Sequence, residues 1–134
     1  MKPVAVAAIV LPIVLSAGLA QACGACDEDK IAATYDYAVE ATAFARHHTI
    51  VVAEISGFVD AKVVTARIAV VAPRVRGVQP GTVRTAVAPP AFSFEIDPTM
   101  AAPQATLADF QRRIGKSNAR FRLVRVLAHH RLGT

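Results

Sequence analysis

The chain has 134 residues, room for one small domain and no second lobe. Hydrophobic residues make up 54% and charged ones 19%, which excludes a disordered tail, and alanine and valine carry that apolar content because aromatics are only 6%. The net charge of +5 comes from basic residues dispersed along the C-terminal half, which excludes an acidic tail and a dense nucleic-acid-binding arm.

Residues 1–22 have the three-part layout of a secretory signal. Met1-Lys2 supplies the positive start, Pro3 to Leu15 the apolar run, and Ala20-Gln21-Ala22 a small-x-small exit. Pro12 interrupts a run that is already short of the roughly 20 residues a membrane span needs. The expectation is an exported protein, periplasmic or secreted, that meets the membrane only through its precursor. Cleavage before Cys23 fits best and cleavage after Ala20 is the near alternative. Lipidation of Cys23 is disfavoured by the small Ala20 three residues before it.

Cys23-Gly24-Ala25-Cys26 holds the two cysteines, directly ahead of a helix expected over Asp27–His48. Ile31, Tyr35, Val39 and the 43/44 pair recur at helical spacing, with Asp27-Glu28-Asp29 in the first turn and Arg46-His47-His48 in the last. Ile50–Ile55 is a β-branched run, hence a strand, closed by Ser56-Gly57. Asp60 is placed to cap a helix with Val63, Val64, Ile68 and Val71 on one face, stopped by Pro73. Thr82–Ala88 alternates valine with polar residues, Pro89-Pro90 turns the chain, and Ala91–Ile96 puts Phe92, Phe94 and Ile96 on one face. Pro103–Gly115 is a helix aligning Leu107, Phe110 and Ile114, with Gly115 in the C-cap place, and Phe121–Ala128 is the last strand.

After the leading helix the order is β-α-β-β-α-β. This predicts an α+β, ferredoxin-like sandwich over 49–134, with the first strand between the last and the third, preceded by one extra N-terminal helix over 23–48. The strand Ile50–Ile55, the helix after Asp60, Gly77-Val78, Phe94-Glu95-Ile96-Asp97-Pro98 and the Leu107/Phe110/Ile114 helix resemble the heavy-metal-associated domains of copper chaperones and metal-transport ATPases. That family carries its Cys-x-x-Cys in the loop after the first strand, where this chain has Ser56-Gly57-Phe58-Val59-Asp60. No metal ligand carries over from the resemblance.

The chemistry rests on residues outside that loop. Two thiolates at a helix N-terminus are favoured by its dipole, suit Cu(I) and supply half of a Zn2+ site; oxidised, they form a short disulfide. A leading helix antiparallel to the first strand brings Cys23 and Cys26 to the pole where that strand ends, beside Asp60, Pro89-Pro90 and Lys116. His47-His48 and His129-His130 flank antiparallel neighbours and are expected to meet at the opposite edge, where four imidazoles with Met100 form a weaker second metal cluster. The plain reading of these histidines is a helix end and a tail. The functional expectation is a non-catalytic, exported metal-handling protein binding Cu(I), or Zn2+, through Cys23 and Cys26, with an envelope protein partner and no nucleic acid. The alternatives are a periplasmic thiol-disulfide module and an assembly protein whose cysteines form a structural staple.

Overall fold

A computed structural model of the chain describes residues 26–57 and 59–129. Residues 1–22, where a signal segment is expected, Cys23 and His130 lie outside these described residues. The described residues form an α+β fold, with four α-helices and one four-stranded antiparallel sheet among them. In chain order the elements are α1 (Asp27–Thr34), α2 (Tyr37–Ala45), β1 (Thr49–Ser56), α3 (Ala61–Val71), β2 (Arg84–Val87), β3 (Pro90–Ile96), α4 (Pro103–Ile114) and β4 (Arg120–Ala128). A single 3-10 turn, Ala72–Arg74, ends α3 at Pro73.

The sheet order is β2-β3-β1-β4, which puts β1 in hydrogen-bonded register with β3 on one side and β4 on the other. Against β4 the register slips between Val52↔Arg125 and Ala53↔Leu123, so Val124 is the extra residue of a bulge. Alternation along the strands sends side chains to two faces. On the first face Val51, Ala53, Ile55, Phe92, Phe94 and Ile96 meet Val64 and Ile68 of α3 and Leu107, Phe110 and Ile114 of α4. Phe92 anchors this core, with ring centroids 5.2 Å from Phe110 and 5.0 Å from Phe121 in edge-on geometry. Asp60 caps α3 through Lys62 N at 2.9 Å, whereas Val63 stands 54% exposed, outside the buried face the spacing assigned to it. Val64 and Ile68, four apart, form that face instead.

The second face is also covered. Ile50, Val52 and Ala43 are buried there, with Ile31, Val39, Phe44, Val124 and Leu127 packed around them. This makes three layers, α3/α4, sheet, α1/α2, and β3 is buried on both of its faces from Ala91 to Ile96.

The expected single helix over 27–48 is two helices. Tyr35 is extended (φ −68°, ψ 133°), and the carboxylate of Asp36 accepts from Ala38 N at 2.9 Å and Val39 N at 3.1 Å as the N-cap of α2. An Asp in mid-pattern satisfies amide groups that a continuous helix would pair with carbonyls, so the chain restarts there. Nor does α1 run antiparallel beside β1. It crosses the sheet and touches all four strands. Asp27 reaches Arg122 on β4, Lys30 reaches Glu54 on β1, Ser93 on β3 donates to Thr34 O at 3.0 Å, and Asp36 receives Arg84 Nε of β2 at 2.9 Å.

In the β1–α3 loop, where the resembled family carries its metal, the backbone of Gly57 approaches that of Asn118 closely. Gly57 has φ +106°, and a Cβ there would lie 2.2 Å from the Asn118 carbonyl oxygen.

Two substitutions separate the layers. Phe110→Ala empties a fully buried site and is expected to cost about 3–5 kcal/mol in urea unfolding. Asp36→Ala removes a cap and an ion pair, with a smaller expected loss of about 1–2 kcal/mol. Equal losses would show that the second layer carries as much of the cooperative core as the first.

Candidate functional site

Cys26 is the N-cap of α1, half-buried, with extended backbone (φ −66°, ψ 149°). Its carbonyl accepts the amide of Lys30 at 3.4 Å, the first turn of the helix. The side chains that follow are tied down by β4 and β1. Arg122 Nη2 donates to Asp27 Oδ1 and to Glu54 Oε2, both at 2.8 Å, and Arg125 Nη2 donates to Glu28 Oε1 at 2.7 Å. Lys30, only 4% exposed, bonds the Glu54 carboxylate and lies 3.7 Å from Asp27. A buried ammonium needs such a partner, because leaving it unpaired would cost several kcal/mol.

These contacts set the electrostatics of the turn. Hydrogen bonds from Arg122, then Lys30, hold the Glu54 carboxyl below the usual carboxylate value. Arg122 does the same for Asp27, and in return its own guanidinium is held more firmly protonated, chiefly by Glu54 and then by Asp27. The acidic run Asp27-Glu28-Asp29, which on sequence alone opposes a thiolate at Cys26, has its first two charges neutralised by arginines some 95 residues away. Sequence reasoning missed Arg122, Arg125, Lys30 and Glu54. Their helical and β periodicities mark them as surface residues, and their alternation onto the face covered by α1 is the one signal that points to them.

Cys26 precedes Asp27, whose carboxylate shares Arg122 with Glu54, two residues before β1 ends, and α1 lines a groove with the Pro89-Pro90 turn through Asp29, Ala32 and Ala33. Lys116, expected at this pole, is exposed in the α4–β4 loop. Cations paired with acidic residues of α1 are Lys30, Arg122 and Arg125.

At the other end of β1, the histidines meet in backbone position only. The amide of His48 bonds Ala43 O at 2.9 Å and that of His47 bonds Phe44 O at 3.1 Å, while His47 takes φ +59°. This is a Schellman turn, with His47 in the left-handed place that glycine usually fills. His47 is exposed. His48 turns onto the face covered by α2, where Nδ1 lies 2.6 Å from Glu95 Oε1. The ring of His129 lies against Phe44, centroids 5.9 Å apart. Among the described residues no group of three or more His, Cys, Asp or Glu is arranged to hold a metal ion. His48 and His129 therefore have different partners, and Met100 is an exposed residue of the β3–α4 loop.

Two measurements check this account. Since the folded carboxyl of Glu54 is depressed, its contribution is fully present above the ordinary carboxylate range and is lost as pH falls through the lower folded value. Glu54→Gln should flatten the acid limb of the urea midpoint against pH, and an unchanged limb would show that the network is not what acid disrupts. His47→Gly should raise stability by about 0.5 kcal/mol, because glycine takes the left-handed position without a Cβ penalty.

Comparison of the chain with family models, with curated proteins and with solved structures finds no match in any of the three, so its functional reading rests on its own residues.

Proposed function

We propose that the protein is an exported, non-catalytic metal-handling protein that takes up and passes on Cu(I), with Zn2+ as the lesser cargo, through Cys23 and Cys26. The observation that carries this reading is the pairing of two of the three acidic residues in the first turn of α1. With Asp27 paired to Arg122 and Glu28 to Arg125, and Asp29 exposed to solvent, the acidic run opposes the field of the helix N-terminal amides on the thiol of Cys26 less than its sequence suggests. Cys-x-x-Cys spacing gives a soft ion two thiolates, and Cu(I) accepts that low coordination.

The reading of residues 49–134 as a ferredoxin-like domain of the heavy-metal-associated kind is supported by the strand order and by the pairing of α3 and α4 on one face. On this reading the metal pair has moved from the β1–α3 loop to the start of α1. The close approach of Gly57 to the Asn118 carbonyl oxygen is in keeping with this, since it leaves no room for a side chain at the first position of that loop. Export to the periplasm or beyond rests on residues 1–22, and among the described residues no helix is long and apolar enough to cross a membrane. A second reading, an assembly protein, is favoured by one feature. Val63 and Val70 stand 54% and 71% exposed on α3 beside Lys62, Arg67 and Arg113, a surface of the kind partners cover.

Competition with a Cu(I) chelator tests the proposal. Reduced mature protein should bind about one Cu(I), and Cys23→Ser and Cys26→Ser should each weaken binding by orders of magnitude, because a hydroxyl cannot replace a thiolate for a soft ion. Equal affinities for all three proteins would overturn it.

A further inference from the structure

His48 stands between two carboxylates, those of Glu95 and Asp97. Its Nδ1 lies 2.6 Å from Oε1 of Glu95, a side chain only 1% exposed, and donation of that N–H leaves the lone pair on Nε2. Nε2 faces Oδ2 of Asp97 at 3.8 Å. The other oxygen of Asp97, Oδ1, is already occupied, accepting the Thr99 amide at 2.9 Å and the Thr99 hydroxyl at 2.6 Å.

With Nδ1 as the donor, Nε2 and Oδ2 are two acceptors 3.8 Å apart, too far for a hydrogen bond. Two ligands of a tetrahedral ion with bonds near 2.0–2.2 Å stand about 3.4 Å apart, so a shift of a few tenths of an ångström would let both reach one cation. A histidine whose far nitrogen is fixed by a carboxylate is the usual outer-shell arrangement of a metal ligand. The charge is also of the right sign. Glu95 and Asp97 bring two negative charges, and Arg46, 3.9 Å from the same Glu95 oxygen that His48 meets, offsets one of them. The two ligand side chains are 16% and 24% exposed, so water and ions reach the gap.

The geometry points to a site for one borderline divalent cation, of the Zn2+, Ni2+ or Cu2+ class, held by His48 Nε2 and Asp97 Oδ2 and completed by water, with Glu95 as the residue that orients His48. It lies at the end of β1 away from Cys26, differs from a four-histidine cluster in its ligands, and does not depend on the cysteines.

The test uses the mature chain carrying Cys23→Ser and Cys26→Ser, so that failure of the Cu(I) reading and of this one are distinguishable. Titration with Zn2+ alone at neutral pH, followed by calorimetry and by the imidazole resonances of His48, should show one ion bound. His48→Ala and Asp97→Asn should each weaken it at least tenfold, and Glu95→Gln by about 10–100-fold. The pair His129→Ala with His130→Ala should leave it unchanged. Because Glu95 is buried, Asp97→Asn at a partly exposed site decides the matter if the Glu95 variant does not fold. Absence of Zn2+ binding would reduce the three residues to an ion-paired imidazolium. Binding that survives His48→Ala or Asp97→Asn, or that is lost with His129 and His130, would overturn the assignment.

Discussion

Burial of β1 and β3 on both faces is the constraint that organises this molecule. A four-stranded antiparallel sheet with two helices on one face can leave its other face in water, provided that face is polar. Here that face includes Ile50 and Val52, and it needs a second cover. The residues from Asp27 to Ala45 are that cover. Their short helices bring Ile31, Val39 and Phe44 over the strands, and Ala43, a residue small enough for close approach, is fully buried.

The second layer is assembled differently from the first. Between α3/α4 and the sheet the buried side chains are almost all apolar, led by Phe92, Phe94 and Phe110. Between α1/α2 and the sheet, Lys30, Thr34, Ser93 and Glu95 are buried too, and each has a partner. Ser93 bonds the last carbonyl of α1, Glu95 takes His48, and Lys30 takes Glu54. Such groups favour one arrangement over its neighbours, because sliding α1 along the sheet would strand a buried charge. A crevice bounded by Thr34, Asp36, Ile50 and Val52 has room for about 10 Å³, space for a single water at most.

The sequence made the first core legible and hid the second. Period-two alternation marks Phe92, Phe94 and Ile96 as one buried face, and it equally marks Ser93 and Glu95 as the face turned to solvent. They are buried because a helix from the start of the chain lies over them, and nothing within the strand encodes that. The break at Asp36 was concealed by good apolar spacing on either side. The side chain that ends the pattern is the same one that caps α2, so its signal is a single residue. Val63 was assigned one position too generously on α3. Of the candidate sites, the positions of His48 and His129 beside each other follow from strand pairing and were readable, whereas the partners Glu95 and Phe44 were not. Sequence separation explains why. Arg122 meets Asp27 across 95 positions, a distance at which spacing carries no information.

The path of α1 over the sheet ties two lengths together. Four strands at about 4.8 Å spacing make a sheet about 14 Å wide, and eight helical residues at 1.5 Å span about 12 Å. The helix is anchored to one edge by Arg122 and Arg125 on β4 and, through Asp36, to the other by Arg84 on β2. It is therefore a gauge cut to the width of the sheet. One residue added within it would advance the far end by 1.5 Å and rotate it by about 100°, turning either Lys30 away from Glu54 or Asp36 away from Arg84. In this segment length is as constrained as side-chain chemistry.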